Sequence, residues 1–205
     1  RCEVRFLTTS SVNDMGNYNQ VYMSDGPLYS EDEVKTIVDV FESSQSKEIE
    51  PENKKAFIRG NKKSRVSCVS WKDLKEYLRK YEKFLFDTNE HLFKYDLIPL
   101  DDSHYLNLNH YDLTNPSYDW HMDGTNNVQN YDLKLTVLLN VSTQKYTGGN
   151  LELYNIGEKA NQIIVNKFKP GYCLIFTSNH FHKVEPITKG VRKTLSYWAK
   201  GPLWR

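Results

Sequence analysis

An imidazole and a carboxylate two positions apart are the most chemically suggestive pair in this sequence. They are His121 and Asp123, within Trp120-His121-Met122-Asp123-Gly124. On extended chain, side chains alternate, so residues i and i+2 point to one side and can chelate one ion. A third candidate, His182, lies far downstream, and Arg192 follows it by ten positions. Two histidines and one carboxylate on one face leave the opposite face of a metal ion open, which suits a non-haem Fe(II) centre. A lone His-x-Asp is more often an exposed turn, so the distant His182 and Arg192 give the pair its weight. His180 could compete with His182 as ligand, but His182 sets the ten-residue spacing to Arg192 and is the choice here. His104 and His110 read as structural, and His91 as solvated near a helix end.

These residues need a scaffold that brings distant segments together. Ser30 with Glu33 forms a capping box, and Val34, Ile37, Val38 and Phe41 continue as an amphipathic helix that Ser43-Ser44 ends. Residues 45–63 are polar and read as a loop. Arg65–Trp71 alternates like a strand. A second helix is capped by Ser70 with Asp73, its stripe running Leu74, Tyr77, Leu78, Tyr81, Leu85, with a break near Asp87–Asn89 before Phe93. Upstream, Val4–Phe6 and Val21–Met23 are short strand candidates.

The second half is a series of short strands. His104–Tyr111 turns Leu106 and Leu108 one way and Asn107, Asn109 and Tyr111 the other. Leu133–Val141 repeats this, with Thr136, Leu138 and Asn140 opposite Leu135, Val137 and Leu139. Leu151–Tyr154, Ile163–Val165, Tyr172–Phe176, His182–Glu185 and Arg192–Trp198 follow, separated by Gly-Gly, Pro-Gly and Gly turns. Helices first and many strands later indicate an α+β chain on a jelly-roll barrel whose mixed face lines a cavity.

At 205 residues with 39% apolar content, the chain suits one domain over 1–205. Residues 1–100 would give helical support with a few strands, and 101–200 the jelly-roll core. Net charge is +1, and no basic stripe points to nucleic acid. Lys62, Lys63 and Arg65 form a small cluster that reads as solvated surface. Cys2, Cys68 and Cys173 show no paired spacing, and Cys68 and Cys173 read as buried free thiols. No membrane-length apolar run and no signal-peptide core are visible, so the cytoplasm is the working expectation. Oligomeric state is not legible.

Several motifs together resemble one family. Tyr111, His121, Asp123, Gly148-Gly149-Asn150-Leu151, His182-Lys183-Val184-Glu185-Pro186-Ile187 and Gly190-Val191-Arg192 are similar to the prolyl 4-hydroxylase branch of the Fe(II)/2-oxoglutarate-dependent dioxygenases. The nearest pattern is the PKHD-type group, whose Arg-x-Ser-x-Val-x-Trp element is matched by Arg65, Ser67, Val69 and Trp71. The resemblance spans most of residues 28–200. It implies a double-stranded β-helix (cupin-like jelly roll) with N-terminal helices packed on the major sheet. His121, Asp123 and His182 would bind Fe(II), and Arg192 the distal carboxylate of 2-oxoglutarate. Tyr111 would hydrogen-bond this cosubstrate, Thr136 and Leu138 line its cavity, and Trp198 lie at the cavity floor. Leu138 departs from relatives that place a tyrosine there, so Thr136 or a water would take over that contact.

The implied reaction uses O₂ to hydroxylate an unactivated C–H bond, releasing succinate and CO₂, with ascorbate a further implied cofactor. A prolyl residue of a peptide or protein is the first substrate expectation. Another residue or a small molecule is the alternative, as are a cupin-like metalloprotein without 2-oxoglutarate and a non-enzymatic binding module. The nucleic-acid demethylase branch fits the neutral charge poorly. Tyr118 and Trp120 could line the substrate entrance or merely pack, and loops Lys54–Lys63 and Gly124–Asp132 are expected to shape it.

Overall fold

The computed structural model describes residues 21–48, 62–112, 115–123, 131–155, 161–165 and 168–203. The Val4–Phe6 strand, Cys2, and most of the two expected entrance loops lie outside these residues.

A six-stranded antiparallel sheet forms one wall. Its strands are β1 (Val21–Met23), β2 (Arg65–Ser70), β3 (Tyr105–Tyr111), β5 (Tyr131–Asn140), β9 (Cys173–Thr177) and β12 (Arg192–Pro202), in the order β1-β9-β5-β12-β3-β2. Facing it is a four-stranded sheet of β4 (Tyr118–His121), β10 (His182–Val184), β7 (Leu151–Asn155) and β8 (Asn161–Val165), in that order. A small ribbon pairs β6 (Thr147–Gly148) with β11 (Ile187–Lys189), a strand the sequence pattern did not signal. The fold is the expected α+β double-stranded β-helix.

The alternation of β3 and β5 explains why helices cover the outer face of the large sheet. Leu106, Leu108, Leu135, Val137, Leu139 and Leu195 are fully buried there, against Val34, Ile37, Val38 and Phe41 of α1 (Glu31–Glu48) and Leu85 of α3 (Arg79–Thr88). Burying each such side chain is worth about 1.5–3 kcal/mol. Tyr81 pins α3 to the sheet, its hydroxyl donating to the Val137 carbonyl at 2.8 Å. The opposite faces of the same strands, with Tyr111, Leu174 and Phe176, meet Leu151, Leu153 and Val184 of the small sheet.

Local signals were correct at starts and less so at ends. The Ser30 capping box forms in both directions, Ser30 N to Glu33 Oε2 at 2.9 Å and Glu33 N to Ser30 Oγ at 3.3 Å. However, α1 continues past Ser43-Ser44 to Glu48, because serines inside a helix can satisfy their hydroxyls locally, as Ser43 does on the Val40 carbonyl. The second helix divides earlier than expected. Ser70 caps α2 (Trp71–Leu74), a turn intervenes, and α3 follows, so Tyr77 is exposed. Near Asp87–Asn89 the chain does not break but widens into a π-helical turn over Asn89–Phe93, closed by left-handed Lys94.

Cys173 is buried as expected, but Cys68 is exposed. It sits on β2, the edge of the large sheet, on the face opposite buried Val69. Apolar alternation identified that strand without revealing that one of its faces is open. Among the described residues no helix is long and apolar enough to cross a membrane.

Candidate active site

Cross-strand register, not sequence proximity, assembles the site. β10 pairs antiparallel with β4 so that His182 lies directly opposite His121. Asp123, two residues past His121, is held by its own N–H donating to the Ser178 carbonyl at 3.1 Å. One ligand atom from each of His121, Asp123 and His182 lies within 4.8 Å of the others. Across the cavity, β12 pairs with β3 so that Arg192 faces Tyr111 and Thr194 faces Asn109.

Hydrogen bonds behind the histidines fix what they present. His121 Nδ1 is 2.7 Å from the Asp119 carbonyl, and His182 Nδ1 is 2.8 Å from the His180 carbonyl. A carbonyl can only accept, so each ring carries a proton on Nδ1 and presents its Nε2 to the cavity. Each Nε2 stands 3.8 Å from an Asp123 carboxylate oxygen, too far for a hydrogen bond. Burial, then the neighbouring His182, pulls the His121 pKa down to about 4 and keeps that ring neutral. Two imidazole nitrogens and a carboxylate converge at distances too long for hydrogen bonds to one another, an arrangement that a cation between them would satisfy. The set suits a divalent ion of the Fe(II) type.

The second feature is Arg192. It is 1% exposed, yet among the described residues it forms no ion pair and its Nε has no acceptor. Its guanidinium lies 5.2 Å from the Tyr111 ring centre and 5.8 Å from that of Phe168. Arg192 hydrogen-bonds the Tyr111 phenol, a neutral partner, and a buried cation without an ion pair is costly, so an anion entering the cavity would stabilise it. Trp198 Nε1 is a second buried donor lining the same cavity without a described partner. Burial pushes the Tyr111 phenol up to about 12, partly offset by Arg192, so it remains a protonated donor. The cavity is open to solvent and is lined by Tyr111, Leu138, Arg192 and Trp198 as well as the His-Asp-His cluster.

The remaining expected residues divide by contact. Leu138 lines the cavity. The Thr136 hydroxyl donates to Asp123 Oδ2 and lies 3.1 Å from Ser178 Oγ. Its one proton is therefore committed to Asp123. His180 is buried, with its Nε2 3.0 Å from the Tyr154 carbonyl and its own carbonyl behind the His182 ring. His104 and His110 are buried and His91 is exposed. Tyr118 stacks on His121 at 3.4 Å between ring centres, whereas Trp120 packs on Phe181 and Tyr154.

Sequence reasoning missed Lys62. Instead of lying on a solvated surface, it reaches into the cavity, while Arg65 of the same cluster pairs outside with Asp112. No local pattern could reveal this, because Lys62 is placed by an isolated bridge to Tyr118, 56 positions away.

Comparison with known proteins agrees with this geometry. The profile described as the 2OG-Fe(II) oxygenase superfamily matches residues 106–200, which hold the triad, Tyr111 and Arg192. That match covers just under half of the chain and, together with the fold and the site geometry, supports a 2OG-Fe(II) oxygenase. That family implies Fe(II), 2-oxoglutarate and O₂. Comparison with curated proteins gives no match. Among solved structures, a Pseudomonas putida prolyl-4-hydroxylase is similar, with a TM-score of 0.63 and 17% identity over 89% of this chain and 93% of that one. A Trichoplax adhaerens prolyl hydroxylase, solved with a hypoxia inducible factor peptide fragment, gives 0.62 and 18% over 87% and 82%. SnoK, a carbocyclase from nogalamycin biosynthesis, gives 0.65 and 12% over 88% and 80%. At these identities the likenesses speak for the fold of this oxygenase.

Proposed function

We propose that this oxygenase hydroxylates an unactivated C–H bond of a prolyl residue in a peptide or protein, with His121, Asp123 and His182 as the Fe(II) ligands and Arg192 as the clamp for the far carboxylate of 2-oxoglutarate. One observation carries the reading: a fully buried guanidinium with no ion-pair partner among the described residues, in the same cavity as the converging His-Asp-His cluster. A cupin-like site without a keto acid has no use for such a cation. Similarity to two prolyl hydroxylases, one holding a peptide, supports the substrate class.

Bound together, Fe(II), 2-oxoglutarate and O₂ supply an oxidant strong enough for a C–H bond, with succinate and CO₂ released. The protein's part is positioning. The Asp119 and His180 carbonyls hold both imidazoles with Nε2 inward, and Thr136 orients Asp123. Arg192 offers a guanidinium fork to the carboxylate. Leu138, Leu151 and Val184 supply apolar wall, which limits water near the reacting centre.

Incubation in air with Fe(II), 2-oxoglutarate and a proline-containing peptide library should give succinate and a product heavier by one oxygen atom. Asp123→Ala should abolish both. Turnover surviving in Asp123→Ala would remove the metal assignment, and oxidation confined to non-prolyl substrates would remove the prolyl one.

A further inference from the structure

The cavity holds a second cation that the proposed roles leave unused. Lys62 is fixed in the cavity wall by backbone pairing, Lys63 N donating to the Ser117 carbonyl at 2.8 Å beside the bridge to Tyr118. Its ammonium donates to Asn109 Oδ1 at 2.8 Å and stands 4.8 Å over the Tyr118 ring, the same ring that stacks on His121. Asn109 is anchored independently, its Nδ2 donating to Ser196 Oγ at 3.0 Å. Both contacts of Lys62 are neutral, and among the described residues it forms no ion pair. Burial pulls its pKa down to about 8, offset in part by Asp123 and Cys68, so it stays largely protonated at neutral pH.

A charge tally shows what is missing. Fe(II) and the 2-oxoglutarate dianion cancel. Arg192 and Asp123 cancel as well. Lys62 remains as one positive charge lining the same cavity as the metal site, stacked over the ring that packs on His121. We propose that the Lys62 ammonium receives a carboxylate of the primary substrate and thereby selects substrates carrying an acid near the oxidised carbon. This rests on the oxygenase reading of the same cavity. The carboxylate could be the free α-carboxylate of a terminal or free amino acid, or the side chain of an acidic residue next to the reacting one.

The test is binding, not turnover. Protein loaded with Mn(II) and saturated with 2-oxoglutarate in the absence of oxygen is titrated calorimetrically with matched acid and neutral probes. N-acetyl-L-proline against N-acetyl-L-prolinamide probes the α-carboxylate. Acetylated, amidated Pro-Asp against Pro-Asn probes the side chain. In at least one pair the acid should bind roughly tenfold or more tightly, the scale of one partly desolvated ion pair. That advantage should vanish in Lys62→Met and return in Lys62→Arg, with 2-oxoglutarate affinity unchanged in both. Absence of acid preference in every pair, or a preference that survives Lys62→Met, would overturn the proposal. Loss of 2-oxoglutarate affinity in Lys62→Met would reassign the residue to the cosubstrate. Failure of the wild-type protein to bind 2-oxoglutarate would instead count against the underlying assignment of Arg192.

Discussion

At the residue scale, Arg192 is held ready for a partner that the described residues do not supply, and that makes its energetics testable. Replacing an unpaired buried cation with a flexible apolar side chain removes a desolvation cost. Arg192→Met should therefore raise the melting temperature of the ligand-free protein or leave it unchanged. The same variant should lose the stabilisation that 2-oxoglutarate gives the metal-loaded wild type, with affinity falling by about a hundredfold, the scale of a two-pronged charged contact. A thermal-shift series with and without the diacid reads both effects. Thr136 gives a second case, because its hydroxyl is spent on Asp123. Thr136→Val keeps shape but removes that contact, and should weaken metal binding by roughly 10- to 100-fold with little change in fold stability, measured by competition with a chelator.

At the element scale, the turn before β7 explains how backbone shape reaches the site. Gly149 has φ +68, and a Cβ there would meet Arg192 Cδ at 3.0 Å and Ile187 Cγ1 at 2.9 Å. Gly149→Ala should thus be strained in itself and displace the Arg192 stem. The expected result is weakened 2-oxoglutarate binding with metal affinity retained, in a calorimetric titration of each ligand. Strand β3 carries a pH-dependent element. Burial, then the charges of Arg65 and Lys193, lowers the His110 pKa to about 4 from an unfolded value near 6.5. The unfolded chain then binds more protons between those values, so stability is complete above pH 6.5 and falls as the pH drops towards 4. The loss attributable to His110 should be on the order of 1–2 kcal/mol by pH 5. His110→Gln should flatten the denaturation-versus-pH profile over that window by a comparable amount.

At the scale of the whole molecule, what the sequence made legible was whatever repeats along one segment. Alternation exposed the cavity-facing set Asn109, Tyr111, Thr136 and Leu138 together with the core-facing leucines, and the capping box located the start of α1. His121 and Asp123 could be read as one chelate because both lie on a single extended segment. Lys62 could not, since its position depends on a bridge between segments that share no periodicity. The exposure of Cys68 was hidden for the same kind of reason: an edge strand looks like a central one until its neighbours are known. The uncommitted state of Arg192 was equally out of reach, because an arginine in a strand pattern does not reveal what faces it across a sheet. Tertiary register, set by the packing of two sheets, supplied all three.

The central claim is that one divalent ion sits between His121, Asp123 and His182 while Arg192 grips the far end of a chelated diacid. Anomalous diffraction from crystals grown with Mn(II) and 2-oxoglutarate tests it most directly. The expected map has one metal peak bonded to both Nε2 atoms and an Asp123 oxygen, with the distal carboxylate of the diacid on the Arg192 guanidinium. A metal peak elsewhere, or a diacid seated away from Arg192, would contradict the account.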